Sequence, residues 1–313
     1  MRSKNINKKR GIIWVLLFFS LVFLNRIASS EERENFKPRF SIKLSGGLGY
    51  IGFGDINTHL ESYDNYLSEM TNYEGGKTKA LHYGSDFEGE FRFDISSKFA
   101  IGIGIGFMTG KNKSYFEYEG PFPFHTPWEF GQSYFLKPKV KTIPFKLKIY
   151  YLLPISVRAN FFLNVGSGYY FSKASLYKCH WSSAYAGWWV IYTKEEKYDV
   201  SSNGFGFHGG IGFEYSIANN LALVLEVQGR YARLSNLKGN RYFSIGTFSH
   251  YDEEEGTLYI GERDFTDEGY GENCPDLIIS SSKPSGEGFR NIKEVSLDLS
   301  GITFRVGIRI KLF

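Results

Sequence analysis

The segment YGSDFEGEFRFDI (residues 83–95) places large apolar side chains and charged side chains at alternate positions. Its odd positions include Tyr83, Phe87, Phe91, Phe93 and Ile95, and its even positions include Asp86, Glu88, Glu90, Arg92 and Asp94. A period of two is the pattern of a β-strand whose two faces meet different surroundings. Two folds fit such a strand: a soluble sheet with its aromatic face on a core, or a membrane barrel with its aromatic face in lipid and its charges inside.

Eight segments of the chain have strand patterns, and their connections alternate in length. The segments span about 39–54, 82–95, 99–110, 133–151, 157–172, 204–216, 221–235 and 300–313. Each has roughly the 9–11 residues or more that a tilted transmembrane strand needs. The connections at 96–98, 152–156 and 217–220 are short, whereas those at 55–81, 111–132, 173–203 and 236–299 are long. Short turns on one side and long loops on the other are typical of transmembrane barrels.

Charges of both signs lie on the strand faces opposite the apolar ones. These residues are Asp86, Glu88, Glu90, Arg92, Lys146, Lys148, His208, Glu214, Glu226, Arg230, Arg305 and Arg309. A small soluble barrel fills its interior with apolar side chains, whereas a polar interior under an apolar exterior is typical of outer-membrane barrels. The sequence therefore predicts an all-β fold, a transmembrane antiparallel up-and-down β-barrel of eight strands with short periplasmic turns and long external loops.

The interior of an eight-stranded barrel is just wide enough for side chains to fill it. We therefore expect a lumen plugged by ion pairs, with Glu88 or Glu90 reaching Arg305 or Arg309 across the small residues of the first strand. An unpaired buried charge is costly, so each charge needs a partner.

Residues 1–30 are predicted to be a signal peptide, which leaves residues 31–313 as the barrel domain. Five basic residues precede an uncharged run of 14 residues, GIIWVLLFFSLVFL (11–24), and small residues follow at 28–30. That run is shorter than the roughly 20 residues of a transmembrane helix, although an uncleaved anchor is the alternative. Removing the six basic residues of this segment lowers the net charge from 37 − 33 = +4 to 31 − 33 = −2. The basic character belongs to the leader, and no nucleic-acid partner is indicated.

Two stretches resemble a known family. The segment TIPFKLKIYYLLP (142–154) followed by VRANFFLNVGSGYYFS (157–172) is similar to the middle hairpin of the outer-membrane protein β-barrel domain family, which comprises small eight-stranded, porin-like bacterial proteins. The last strand, GITFRVGIRIKLF, ends at Phe313, which resembles the assembly signal of such barrels. The resemblance implies a place in the bacterial outer membrane, with its lipids, lipopolysaccharide and the barrel assembly machinery as partners.

The last strand departs from the family pattern because its apolar residues share parity with Leu312 and not with Phe313. Val295, Leu297 and Leu299 lie at odd positions, whereas the apolar residues from Ile302 onward are even. Either Phe313 turns back at the membrane interface or a β-bulge shifts the register, and the change of parity predicts such a bulge near residues 300–301.

The chain has two cysteines, Cys179 and Cys274, and in an exported protein such a pair can oxidise. With a periplasmic N-terminus, both lie in external loops that spring from adjacent hairpins. We therefore predict a disulfide that closes a segment of 95 residues (274 − 179) and stabilises the fold by about 4 kcal/mol.

The first external loop contains DINTHLESYDNYLSEM (55–70), whose apolar spacing predicts a short helix capped by Asp55. Lys137, Lys139 and Lys141 share parity with the apolar residues that follow them, so they are expected at the outer rim. Lipopolysaccharide phosphates lie at that level, and these lysines are a candidate site for them, the alternative being an ordinary solvated loop base.

Other motifs carry weaker signals. The match GLGYIG (47–52) lacks the βαβ context of a dinucleotide site, and the acidic stretch of 252–272 lacks the alternating oxygen ligands of a calcium loop. His180 and Ser182 resemble the His-x-Ser pair of lipid A deacylases, but are expected in a loop. No metal, cofactor or catalytic residue is predicted.

The leading functional interpretation is a non-enzymatic outer-membrane barrel with a structural, adhesion or partner-binding role through its external loops. One alternative is a conduit for small solutes or hydrophobic molecules, and another is a lipid A-modifying enzyme. Continuous lumenal ion pairs favour the first, a water-filled lumen the second, and an acid–His–Ser arrangement at the lipid face the third. No motif of the sequence identifies an external ligand.

Overall fold

The computed structural model describes residues 37–70, 79–121, 129–185, 189–245, 252–265, 271–286 and 288–312. Helix α1 spans Asp55–Met70. The strands are β1 (Arg39–Ile51), β2 (Tyr83–Asp94), β3 (Phe99–Lys111), β4 (Ser114–Pro121), β5 (Glu129–Pro154), β6 (Ala159–Tyr185), β7 (Trp189–Ala218), β8 (Leu221–Leu234), β9 (Lys238–Ile245), β10 (Asp252–Phe265), β11 (Gly271–Ser280), β12 (Phe289–Glu294), β13 (Leu297–Asp298) and β14 (Gly301–Lys311). In the described part of the chain, no helix is long and apolar enough to cross a membrane.

Eight of the strands close into an antiparallel ring. Each strand pairs with the next in the order β1, β2, β3, β5, β6, β7, β8 and β14, and β14 pairs back with β1. A sheet closed on itself has no edge strand. The prediction of eight antiparallel strands is confirmed for this ring.

One end of the ring carries the short turns, at 95–98, 155–158 and 219–220. In the first two, a serine hydroxyl accepts backbone hydrogen bonds: Ser96 Oγ from Phe99 N at 3.0 Å, and Ser156 Oγ from Ala159 N at 3.1 Å. Such side-chain acceptors favour tight turns. β1 begins and β14 ends at the same end of the ring, since Arg39 pairs with Asp94 at the start of β1.

At the other end, β5, β6 and β7 continue well beyond the ring, with 26, 27 and 30 residues. β4 pairs with the extension of β5, β9 pairs with that of β7, and β10, β11 and β12 continue the sheet. We call α1, β4, β9–β13 and these extensions the head. The predicted long loops at 111–132, 173–203 and 236–299 are therefore wrong, because most of their described residues form strands, chiefly of the head.

The interior changes from charged to apolar along the same strand face. In the ring part of β5, Lys146 and Lys148 are buried while Phe145 is exposed, but in the head part Leu136 and Val140 are the buried residues. The outward face changes in the opposite sense, from apolar residues in the ring to lysines in the head. The ring thus has the polarity of a barrel in lipid, and the head has the polarity of a soluble sheet.

This reversal explains why the predicted bulge near residues 300–301 is wrong. The pairings Leu297↔Leu234 and Gly301↔Arg230 lie in one register against β8. Leu297 and Leu299 are fully buried in the head core, whereas Ile302 is exposed on the ring. The apolar side chains change parity because the apolar environment moves from outside to inside.

α1 packs at the mouth of the ring, with Leu60 and Tyr63 buried in the head core. The turn before it uses the left-handed region at Phe53 (φ 56°) and Gly54 (φ 58°). A Cβ on Gly54 would lie 2.7 Å from the Ser296 carbonyl oxygen, so a glycine is needed there. The carboxylate of Asp55 accepts hydrogen bonds from Ser296 N at 2.8 Å and Ser296 Oγ at 2.7 Å, which attaches the start of the helix to the segment before β13.

Candidate functional site

The candidate site is the interior of the ring, which is lined by buried charged side chains. The structure places all the predicted lumenal residues there, each at most 5% exposed: Asp86, Glu88, Glu90, Arg92, Lys146, Lys148, His208, Glu214, Glu226, Arg230, Arg305 and Arg309. Buried charges at this density are stable only when they are paired.

Glu88 on β2 is the centre of the network. Its carboxylate lies 2.7 Å from Lys146 Nζ, 2.9 Å from Arg305 Nη1 and 3.6 Å from Lys43 Nζ, and it also contacts Lys148. One carboxylate therefore faces four cations that come from β1, β5 and β14 on both sides of its own strand.

Glu90, two residues along the same face, forms a second centre. Its carboxylate lies 2.7 Å from Lys148 Nζ and 3.1 Å from Lys43 Nζ, and it accepts a hydrogen bond of 2.6 Å from the Tyr150 hydroxyl. Arg309 approaches it at 3.8 Å. The two glutamates share Lys43 and Lys148, so the pairs form one continuous network.

Further pairs extend the network towards both ends of the ring. Asp86 lies 2.6 Å from Arg305 and 3.4 Å from Arg230 on the head side. On the side of the short turns, Glu214 lies 3.3 Å from Arg92 and 3.1 Å from Arg309.

Glycines on the intervening strands let these side chains meet. β3 separates β2 from β5, and Gly104 on β3 is paired with both Glu90 and Lys146. β1 separates β2 from β14, and Gly47 on β1 is paired with both Asp86 and Arg305. Because a glycine leaves the inner face of the middle strand open, the acids of β2 cross over it to cations two strands away.

Sequence reasoning missed Lys43 and Tyr150, which complete the network. Lys43 is fully buried and lies 3.0 Å from Glu226, which also accepts a hydrogen bond of 2.9 Å from Asn164. The signal was present in the sequence, since Lys43 alternates with Ile42 and Leu44 and therefore lies on the inner face of β1.

His208 lies in the lumen, opposite Gly166 on β6. It is 3% exposed, and neither ring nitrogen has a hydrogen-bond partner among the described residues. A Cβ on Gly166 would lie 2.8 Å from Nε2, so the imidazole occupies the space that this glycine leaves. The structure thus brings His208 beside the charge network without an ion pair to it.

Two groups of buried apolar side chains adjoin the charge network. One lies inside the ring among the charges and consists of Ala100, Tyr150, Leu152, Phe162 and Val224, where Tyr150 donates its hydrogen bond to Glu90. The other is the head core, with residues such as Met108, Tyr170, Leu234 and Leu299.

The head contains its own buried polar cluster around Glu196. Its carboxylate lies 2.8 Å from Arg241, 3.3 Å from Lys194 and 3.7 Å from Lys178. Burial alone would raise the pKa of Glu196, but Lys178, Arg241 and Lys194 together lower it below its ordinary value. Glu196 is therefore ionised at neutral pH.

Two histidines of the head are held neutral. Burial, reinforced by the charge of Lys178, lowers the pKa of His59 on α1 to about 3. Burial, with the charges of Lys178 and Lys194, lowers the pKa of His180 to about 4. Both values lie below the ordinary histidine pKa of about 6.5, so the unfolded head binds protons that the folded head does not.

We expect the head to open as the pH falls below about 6.5. Each neutral histidine makes folding less favourable by about 1.4 kcal/mol for each pH unit below the unfolded pKa, until the folded pKa is reached. Hydrogen exchange of α1 amides, compared between pH 7.5 and pH 5.5, measures this opening once corrected for intrinsic exchange rates. His59→Gln should remove about half of the pH dependence. An opening free energy independent of pH in the unaltered protein contradicts the expectation.

The predicted disulfide between Cys179 and Cys274 is not formed. Lys178 on β6 points into the head, where its ammonium lies 4.8 Å from the centre of the Tyr63 ring on α1. Cys179, the next residue, lies on the opposite face of β6. Cys274 lies on β11, and β7, β9 and β10 separate these two strands in the sheet. The prediction failed because the two presumed loops are strands whose positions in the sheet fix the cysteines apart.

The pair His180 and Ser182 was expected in a loop, but both residues belong to β6. His180 is 5% exposed inside the head, at the parity of Lys178, and it does not lie on the apolar outer surface of the ring. The side chain of Ser182 falls outside the described part.

The three lysines predicted at the outer rim, Lys137, Lys139 and Lys141, lie at successive outward-facing positions of β5 and have different surroundings. Lys137 stacks over the rings of Phe135 at 4.2 Å and Tyr177 at 5.3 Å. Lys141 lies closest to the apolar surface and lines a groove there, and Lys139 lies between the two.

The remaining predictions concern the signal peptide, Phe313 and the acidic stretch of 252–272. The predicted signal peptide and Phe313 lie outside the described residues. In the acidic stretch, Glu254 pairs with Arg241 at 3.1 Å, and the described residues include no group of three His, Cys, Asp or Glu side chains that could hold a metal ion.

Comparison with known proteins finds similar solved structures but no similar sequence. No protein-family model and no curated protein sequence matches the chain. Among solved structures, it is similar to the outer membrane protein OprG from Pseudomonas aeruginosa (10% identity, TM-score 0.34, covering 90% of this chain and 99% of that one). It is also similar to a major outer membrane protein from Thermus thermophilus (12%, 0.32, 88% and 100%) and to the outer membrane protease OmpT from Escherichia coli (11%, 0.25, 89% and 99%). At these scores the likeness carries no functional argument.

Proposed function

We propose that the chain is an integral, non-enzymatic protein of the bacterial outer membrane. Its ring anchors the protein and does not conduct, and its head presents a folded surface outside the cell for structural, adhesive or partner-binding contacts. The short turns then face the periplasm. The observation that carries this proposal is the continuous buried ion-pair network inside the ring.

The outer surface of the ring supports the membrane placement. Large apolar side chains are exposed on every strand of the ring, and we call this surface the belt; one example from each strand is Leu48, Phe91, Ile103, Leu147, Val165, Ile211, Leu225 and Phe304. A soluble protein rarely exposes apolar surface continuously around its circumference, whereas a barrel in lipid requires it.

The buried ion pairs of the lumen support an anchor over a conduit. Glu88, Lys148 and Arg305 have no solvent-exposed side-chain surface, and buried apolar side chains adjoin the network. A passage for solutes would require these pairs to separate, which costs about 3–5 kcal/mol for each charge left unpaired.

The enclosed position of His180 supports a role without catalysis at the lipid face. A hydrolase acting on lipid A needs its nucleophile and base where the lipid headgroup lies, and His180 is enclosed in the head.

Single-channel recording of the purified, folded protein in planar bilayers tests the proposal. We expect no stepwise conductance. Insertion is verified independently by heat-modifiable migration of the reconstituted protein and by its resistance to extraction with alkaline carbonate. An open porin added to the same bilayer provides the positive control. Regular conductance steps from inserted protein would favour the conduit, and failure to insert would contradict the membrane placement itself.

A further inference from the structure

A groove of about 920 Å³ lies on the outer surface where the belt meets the head. Its walls come from β3, β5, β6, β7 and β9 and from the connection between β8 and β9. This volume is within the range of ligand sites, which is roughly 300–1,000 Å³.

One wall of the groove is a row of lysines set by strand register. Lys141 on β5 is paired with Lys173 on β6, Lys173 with Ser201 on β7, and Ser201 with Lys238 on β9. All three lysines are exposed and line the groove. Because neighbouring strands lie about 4.8 Å apart, the row spans about 14 Å, enough for more than one phosphate group.

Within the described part of the chain none of the three lysines forms an ion pair, and Asp199, which interacts electrostatically with Lys173, is paired with Lys197. The neighbouring carboxylate of Asp199 lies 2.5 Å from Lys197, one row further into the head. The row therefore presents three ammonium groups to an anion from outside.

The other wall is apolar. Phe107, Ile143 and Phe171 line the groove next to the lysines and are 39%, 43% and 46% exposed. These side chains belong to the belt, so a ligand that meets both walls carries both an anionic group and a hydrocarbon part.

Uncharged polar groups complete the lining between the two walls. Asn203 and Ser201 lie on β7, and Asn236 lies in the turn between β8 and β9. Asn236 adopts the left-handed conformation (φ 57°), which Asn tolerates better than most residues and which reverses the chain so that Lys238 joins the row. Amide and hydroxyl groups at this position suit the hydroxyls of a sugar headgroup.

We infer that this groove binds a phosphorylated glycolipid of the outer leaflet, the chemistry of lipopolysaccharide, with phosphates on Lys141, Lys173 and Lys238 and acyl chains on Phe107, Ile143 and Phe171. The inference rests on the membrane placement proposed above. It revises the set suggested by sequence: Lys141 stays, Lys137 and Lys139 do not line the groove, and Lys173 and Lys238 join it.

Lipid A binding to the folded, detergent-solubilised full chain tests this inference by native mass spectrometry. In the variant Lys141→Gln/Lys173→Gln/Lys238→Gln, affinity for lipid A should fall on the order of 100-fold, as expected for the loss of three lysines at a lipid surface. The matched control Lys37→Gln/Lys98→Gln/Lys283→Gln removes the same charge outside the groove and should bind as the unaltered protein does.

Two further ligands show whether binding depends on the phosphate groups, on the lipid part or on both. Dephosphorylated lipid should bind more weakly than lipid A, and inorganic phosphate should not displace lipid A at equal concentration. Equal affinity of the triple variant and its control for lipid A would show that the groove lysines do not bind it. Displacement of lipid A by inorganic phosphate would show that the groove recognises phosphate alone and not an amphiphile. Heat-modifiable migration and membrane insertion, measured on the same samples, report separately on the proposed membrane placement.

Discussion

Replacing Glu88 with glutamine is expected to lower the free energy of unfolding by about 3–5 kcal/mol, because it leaves buried cations without their counter-charge. Glu88 is fully enclosed and lies within 3.6 Å of Lys43, Lys146, Lys148 and Arg305. Glutamine has nearly the same shape, so packing is retained while the charge is lost. The urea midpoint of the folded, heat-modifiable form measures the effect.

The control for Glu88→Gln is Glu255→Gln, which removes the same charge from an exposed position of β10 and should change stability by no more than about 0.5 kcal/mol. Adding Lys146→Met to Glu88→Gln should recover part of the loss, since one unpaired cation is removed with its partner. Equal midpoints for Glu88→Gln and Glu255→Gln would mean that water reaches the lumen and screens its charges.

Replacing Gly47 with alanine is expected to prevent closure of the ring. A Cβ on Gly47 would lie 1.9 Å from the backbone oxygen of Phe304 on β14, and a backbone atom in a paired strand moves only with the strand. β1 and β14 form the pair that joins the two ends of the barrel. We expect a loss of about 3 kcal/mol, at the upper end of the usual cost of overpacking.

The measurement for Gly47→Ala is the fraction of protein that reaches the heat-modifiable form on refolding into detergent. Gly89→Ala, on the neighbouring β2, is the matched control. Its Cβ would lie 3.6 Å from Leu44 Cδ2, an ordinary contact, so its yield should match that of the unaltered chain. Equal yields for the two variants would show that β1 and β14 tolerate a wider separation.

The ring could be predicted from the sequence because the apolar parity of each of its strands corresponds to the outer face and the polar parity to the inner face. Along β2 and β8, the large exposed apolar residues all share one parity, and the charged residues Asp86, Glu88, Glu90, Arg92, Glu226 and Arg230 are buried at the other. The same alternation placed the acids of β2 and the arginines of β14 on the inner face. Their actual partners depend on which strands carry glycines, and that requires the register.

The head could not be predicted by the same reasoning because its polarity is reversed. Leu136 on β5 and Val200 on β7 are buried in the head on the strand face that carries Lys146 or Glu214 in the ring. If every outward-facing residue of a strand is expected to be apolar, the strand is predicted to end where the polarity of its two faces reverses. The remaining residues are then assigned to loops. The misplaced cysteines and the incomplete set of groove lysines both follow from that error.

The unbroken strands of β5, β6 and β7 also determine how the protein bears force. Pairing between β5 and β6 runs from Glu129↔Tyr185 to Pro154↔Asn160 without a register shift, and β6 and β7 pair as continuously. At about 3.3 Å per residue, these strands are roughly 85–100 Å long and have no hinge between membrane and head. Under the function proposed above, a partner pulling on the head would load the hydrogen bonds of the sheet in shear and transmit tension directly to the ring. Because the pairing is continuous from ring to head, the protein would then behave as a stiff strut and not as a tether.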